Sequence, residues 1–266
     1  MAVTFKKSIA QREASAKLLG DIASVAEYMQ LINAESDSDA ATPSLFRGQT
    51  EDWPLLPKLA RLYKQQQLKG PYLDIERKML DEFSRQAAIY VANNQTPWDW
   101  LALAQHHGMA TRLLDWTENP LLALWFAVKN APKDADQGKH GVVWIFSPPD
   151  QRYIDSSSEE SPFSSTSTKI LLPRHSNMRL RVQSGRFTVH HYRQEDGEFI
   201  PLEKHKTYKK YLKKITIKSE AFSQIRSDLD RCGLNAGTMF PDLGGLAEHI
   251  EWRHTLLDDE KDTPGT

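Results

Sequence analysis

Apolar residues recur every three to four positions over 14–33, at Leu18, Ile22, Val25, Met29 and Ile32. That spacing puts one stripe of a helix against a core and predicts an amphipathic helix. The same period is clearest over 73–93, where Ile75, Met79, Phe83, Ala87 and Tyr90 share a face. A helix starting near Pro57 follows the turn-forming Pro54 and Pro57. Residues 97–107 predict another, opened by Pro97 and ended by Gly108. ENPLLALWFAVKNA is apolar on most sides and predicts a buried helix. SEAFSQIRSDLDRCG predicts a helix with Ser219 at its N-cap and Gly233 at its C-cap. A short helix closes MFPDLGGLAEHIEWRH.

Other stretches carry the strand pattern. GVVWIFSP (141–148) is a continuous apolar run bounded by Gly141 and Pro148, as a strand buried on both faces requires. SLFRGQT, ATRLLDW and the end of KKYLKKITI (209–217) predict shorter strands. LRVQSGRFTVHHY (180–192) alternates around Gly185, which predicts a hairpin or bulged strand. Residues 34–43 read as a polar loop and 155–168 as a mobile Ser/Thr-rich one. Helices dominate the first half and strands the second. The expected fold is α+β, a small mixed β-sheet core flanked by helices. Its expected organisation is an N-terminal helical extension (1–36), a main domain (37–252) and a flexible tail (253–266).

Composition narrows the function classes. Lys plus Arg number 34 and Asp plus Glu 35 in 266 residues, so no global field favours nucleic acid or an anionic membrane. A local patch such as KTYKKYLKK (206–214) could contact nucleic acid or simply be a solvated helix face. Cys232, the single cysteine, permits no internal disulfide and no cysteine metal site, and is expected to be a partly buried thiol. The N-terminus has no secretory apolar region, and no apolar run approaches the about 20 residues of a membrane span. The expectation is a cytoplasmic protein with no membrane contact and no bound metal. Neither GxGxxG nor GxxxxGK[ST] is present, nor HExxH, nor a Ser-Gly elbow.

Two segments concentrate polar chemistry. In LFRGQT (45–50), Arg47 follows a bulky residue and precedes a glycine. A guanidinium there can meet a carboxylate or phosphate with two hydrogen bonds, and Gly48 would let a ligand approach the backbone; the alternative is a structural ion pair. In QHHGMATRLLDWT (105–117), Gln105, His106, His107, Thr111, Arg112, Asp115 and Thr117 crowd into thirteen residues before an apolar helix. Such a cluster is costly unless its members bond to one another or to a ligand. Strand alternation would separate Arg112 and Leu114 from Leu113 and Asp115. A purely structural arrangement would pair Arg112 with Asp115 and use Thr117 to cap helix 118–130. Adjacent His106 and His107 point about 100° apart on a helix and make a poor chelating pair.

Phe46-Arg47-Gly48 resembles the signature of the FRG domain family. QHHGMATRLLDWTENPLLALWFA (105–127), NMRLRVQSGRFTVH (177–190) and LNAGTMFPDLGGLAEHI (234–250) resemble that family's later motifs in the same order. More distantly, the chain resembles ADP-ribosyltransferases, which implies a split sheet and NAD as substrate. On that resemblance Arg47 would hold the diphosphate and Thr117 would occupy the hydroxyl position. Gln183 stands where the catalytic acid is expected, and Glu248 is the competing acid. His107, Tyr90 or Trp116 would stack on the base. Asp115 would join the catalytic set, and Phe46, Gly48, Gln49, His106, Gly108, Thr111 and Arg112 would frame the ligand. The resemblance implies a bacterial toxin or anti-phage effector acting on nucleic acid or protein, with an antitoxin or other regulatory partner. Two readings stand beside it. One is a non-catalytic module that binds a nucleotide, nucleic acid or protein. The other is a hydrolase or nuclease using His107 with Asp115 or Asp242.

Overall fold

The apolar run 141–146 becomes the interior strand β4 (Gly141–Phe146), buried at every residue, in a computed structural model of the chain. The structure describes residues 16–35, 42–91, 94–132, 140–147, 153–158, 161–164, 167–174, 185–192 and 199–261. Seven further strands join β4: β1 (Lys17–Ile22), β2 (Leu45–Gln49), β3 (Leu113–Thr117), β5 (Tyr153–Asp155), β6 (Lys169–Leu172), β7 (Gly185–Val189) and β8 (Leu212–Ile217). They form one open mixed sheet in the order β1-β8-β4-β2-β3-β7-β6-β5. With eight α-helices among the described residues, the fold is α+β, as the sequence pattern predicts.

The sheet is split. β2 runs antiparallel to β4 in unbroken register from Leu45↔Phe146 to Gln49↔Val142, and β3 pairs with β7 from Leu113↔Val189 to Thr117↔Gly185. Between β2 and β3, one pair alone is made, Phe46↔Thr117. Two four-stranded halves therefore meet at a single point and open into a fork beyond it.

Helix α5 (Pro120–Val128) lies across β2, and its buried residues share a core with α1 (Val25–Glu35) and α6 (Phe222–Arg231). The approach is close enough that a Cβ on Gly48 would stand 1.8 Å from the Ala123 carbonyl oxygen. Under the other half of the sheet, α4 (Pro97–His106) packs Trp98, Leu101 and Ala104 against Leu113, Phe187 and Val189. Thr96 caps α4 in a reciprocal box with Asp99. The short α2 (Lys58–Lys64) and the long α3 (Tyr72–Ala87) complete that side.

Several expectations are corrected. The helix expected over 14–33 is β1 followed by α1. β1 pairs in parallel with β8, so sheet pairing overrides the helical period, and Gly20 weakens a helix there. The helix starts only after Ser24, whose hydroxyl accepts from Glu27 N at 3.2 Å, while the Glu27 carboxylate accepts from Ala23 N at 2.8 Å. Ser219 opens a 3-10 turn, not a helix cap, because α6 begins at Phe222. Asn119, not Thr117, caps α5, accepting from Leu121 N and Leu122 N. Thr117 instead accepts from Asn119 N at 3.0 Å. The chain is described through residue 261. Helix α8 (Leu243–His254), preceded by the short α7 (Ala236–Met239), is followed by a turn whose Asp259 and Glu260 bind buried Arg226 at 2.8 and 2.7 Å. Cys232 is exposed at the end of α6. Of the Ser/Thr-rich segment, Ser156 and Thr168 are buried.

Candidate functional site

Arg47 is the first residue past the Phe46–Thr117 pair and fills the mouth of the fork. Its Nη1 donates to the Asp115 backbone carbonyl at 2.8 Å and lies 3.8 Å from the Asp115 carboxylate. β3 thus has a carbonyl satisfied across the gap by a side chain instead of by β2. Burial pulls the Arg47 pKa below the usual arginine range; Asp115 opposes that shift and Arg61 adds to it. The Nε of Arg47 is buried without a hydrogen-bond partner, which costs free energy unless a ligand supplies an acceptor.

The Asp115 side chain is held by a relay. Thr111 Oγ1 donates to Gln105 Oε1 at 2.6 Å, and Gln105 Nε2 donates to Asp115 Oδ2 at 2.8 Å. Thr111 Oγ1 also accepts from Leu113 N at 3.1 Å. The end of α4 and the start of β3 therefore aim one carboxylate, whose side chain is 58% exposed.

These groups open onto a cavity of about 420 Å³, the size of a small-molecule site. Leu122 and Phe126 from α5 and Phe187 from β7 supply apolar wall. Lys58 and Arg61 from α2 and His106 from α4 also line it. Lys58 Nζ donates to the Gly108 carbonyl at 2.8 Å and Arg61 Nη1 to the Leu56 carbonyl at 2.7 Å. Three cationic side chains thus face the space, while Asp115 is the carboxylate among the lining residues.

The structure gathers Phe46, Arg47, Gly48, His106, Gly108, Asp115, Trp116 and Thr117 along this cavity. Others proposed from the sequence lie elsewhere. Arg112 does not pair with Asp115. It is buried against Glu76, with Nε donating at 2.9 and 3.0 Å to the two carboxylate oxygens, and Nη1 donating to the Pro162 carbonyl at 3.0 Å. Gln49 is buried and accepts from Trp144 Nε1 at 3.0 Å. The Trp116 indole is itself in the core, donating to Thr188 Oγ1 at 3.0 Å and lying 5.4 Å from the Phe146 ring, so it is not a free stacking surface. His107 is exposed at the end of α4 outside the lining, and Tyr90 is exposed beyond α3. Glu248 lines a separate cavity of about 210 Å³ beside α8. Asp242 caps α8 through Gly245 N at 2.9 Å. Gln183 lies outside the described residues. The glycine at 48 serves helix packing, since its Cβ direction points into the α5 backbone.

Lys58 and Arg61 escape a sequence reading. Cations three apart on a seven-residue helix look like any solvated face. Below the strand, Thr188 Oγ1 and His190 Nε2 are 3.1 Å apart. Burial, with smaller contributions from His205 and Arg47, holds the His190 pKa down at about 3, so its imidazole is neutral. Among the described residues, no group of three or more His, Cys, Asp or Glu side chains could hold a metal ion, and no helix is long and apolar enough to cross a membrane.

The FRG domain family model matches residues 42–136, the stretch from β2 through α5. All the cavity-lining residues except Gly185 and Phe187 fall within it. No curated protein and no solved structure matches the chain.

Proposed function

The chain carries an FRG domain over residues 42–136, and from that premise we propose that its cavity is the active site of an NAD-dependent ADP-ribosyltransferase. The observation that carries the reading is the placement of Arg47 and Asp115 across the fork of a split sheet, on a small-molecule-sized cavity. NAD is then a substrate. Arg47, with an unused buried Nε, suits an anionic oxygen of the diphosphate. Asp115, oriented by Gln105, accepts from a ribose hydroxyl or takes the proton of the incoming nucleophile. In the transfer, the bond between nicotinamide nitrogen and ribose C1′ breaks, nicotinamide leaves with the electron pair, and the acceptor bonds to C1′ as it loses its proton. Phe126 and Phe187 give the site its apolar wall.

Asp115 thus takes the role that the resemblance assigned to Gln183 or Glu248; Glu248 lines the other cavity. The alternative His107–Asp115 hydrolase finds less support, because His107 is not among the lining residues. A protein or nucleic-acid acceptor, action as a toxin or anti-phage effector, and control by an antitoxin all extend this same reading.

The test is incubation of the purified protein with NAD labelled in the adenylate, together with whole-cell protein and RNA. Label transfer to one of those fractions, lost in Arg47→Ala and Asp115→Asn proteins that still fold, is the expected result. Absence of NAD consumption under every acceptor condition, with no NAD binding by calorimetry, overturns it.

A further inference from the structure

Helix α2 brings Lys58 and Arg61 to the cavity from outside the strands that carry Arg47 and Asp115. Their surroundings distinguish them from structural ion-pair residues. Each is fixed by one backbone carbonyl, Gly108 for Lys58 and Leu56 for Arg61, and neither is within salt-bridge distance of a carboxylate among the described residues. A carbonyl positions a cation without neutralising it, so the charge stays available. Both guanidinium groups line the same cavity, Arg47 feels Arg61, and both feel Asp115. Three cations answered by one carboxylate is a repulsive arrangement in a partly desolvated cavity, and an anion of about two charges relieves it.

We propose that the cavity holds a diphosphate ester of a small molecule, with Lys58 and Arg61 forming a second anion subsite opposite the Arg47 contribution. This rests on the reading of the cavity as the working site, but not on any transfer chemistry there. The ligand class follows from the site. A cleft of about 420 Å³ admits a nucleotide-sized molecule, and cations from two elements suit adjoining phosphates better than one carboxylate. The bound diphosphate also lies beside Asp115, which places the ester's sugar within reach of the one carboxylate that lines the cavity among the described residues.

Calorimetry on the full chain tests this with sodium pyrophosphate, ADP and adenosine, at low and high salt. Pyrophosphate and ADP bind, raise the melting temperature and weaken with salt, whereas adenosine alone does neither. Lys58→Gln and Arg61→Gln each weaken pyrophosphate at least about tenfold, the loss of one charge-assisted contact, and Arg61→Lys restores part of it. Lys58 is exposed, so its variant reports on binding even if an Arg61 variant misfolds. The proposal is overturned if pyrophosphate and ADP fail to bind the wild-type protein, or bind the Lys58→Gln, Arg61→Gln double variant unchanged. It is also overturned if a 5′-phosphorylated oligoribonucleotide binds and pyrophosphate does not displace it. NAD consumption that persists unchanged in the double variant sinks the α2 subsite and spares the transferase. Pyrophosphate binding lost in the double variant, without NAD consumption by the wild type, does the reverse.

Discussion

Arg47 holds Asp115 by its backbone, at 2.8 Å from the carbonyl oxygen, and only loosely by its carboxylate, at 3.8 Å. The structural contact therefore survives substitution at position 115, whereas the carboxylate that the proposed transfer uses does not. With Asp115 more than half exposed and the charges 3.8 Å apart, the ion pair itself contributes little to stability.

Asp115→Asn is accordingly expected to fold with stability within about 1 kcal/mol of wild type while transfer activity falls on the order of 100-fold or more, the scale of a lost general base. Arg47→Ala is expected to lose both, because it also strips the Asp115 carbonyl of its donor at a cost of about 1–3 kcal/mol. Urea denaturation beside NAD turnover separates the two variants. Equal destabilisation in both would mean that Asp115 is a structural residue.

The Arg112–Glu76 pair predicts the opposite separation. Both side chains are buried, and the Arg112 guanidinium also sits 5.2 Å from the Phe163 ring. Removing one partner leaves an unpaired buried charge, so Arg112→Ala or Glu76→Ala is expected to cost about 3–5 kcal/mol. The Arg112→Met, Glu76→Leu double variant is expected to recover much of that and to retain ligand binding, since neither residue lines the cavity. Chemical denaturation and pyrophosphate calorimetry check the two halves. Retained stability in either single variant would remove the pair from the core.

How far the sequence foretold this site depends on what sets each position. β4 and α5 are legible because burial imposes a continuous apolar run, and the seam is legible in FRG and LLDWT because polar side chains crowd between apolar ones there. Neither role the sequence offers for Arg112 matches its place in the fold. Its partner, Glu76, sits 36 positions away on α3, and nothing local distinguishes it from the acids around it. β1 reads as helix because its partner β8 lies 196 positions away (Lys17↔Lys213), and a period of 3.6 cannot register a distant strand. Lys58 and Arg61 escaped because their charge is ordinary and only their convergence with Arg47 is not.

His190 gives the fold a pH dependence. The unfolded chain binds a proton at this imidazole near pH 6.5 and the folded chain only near 3, so between those values the unfolded state holds more protons. The contribution is fully present above 6.5 and is lost as pH falls through that window, by at most about 1.4 kcal/mol per pH unit. Urea denaturation at pH 7.5, 6 and 5 is expected to show this slope. His190→Gln is expected to flatten it, even though losing the contact with Thr188 lowers stability at neutral pH. Identical slopes in the two proteins would show that His190 is not the titrating group.

Gly48 supplies the sharpest distinction between a ligand contact and a packing constraint. Its neighbours in the signature, Phe46 and Arg47, line the cavity with side chains, so the glycine reads naturally as clearance for a ligand. The geometry points elsewhere. A Cβ at position 48 would lie 1.8 Å from the Ala123 carbonyl oxygen and 2.8 Å from Ala127 N, both backbone atoms of α5 that cannot swing aside. Relief requires moving α5 off β2, and α5 is anchored in the core by its own buried Leu122, Leu124 and Val128. Gly48→Ala is therefore expected to destabilise the fold by more than about 3 kcal/mol, beyond ordinary overpacking. Small apolar compensation on the helix, such as Ala123→Gly, is expected to recover little, because the clash is with the carbonyl and not with a side chain. Were Gly48→Ala instead to fold with wild-type stability and lose only pyrophosphate affinity, the glycine would belong to the ligand and α5 would sit farther from β2 than the structure places it.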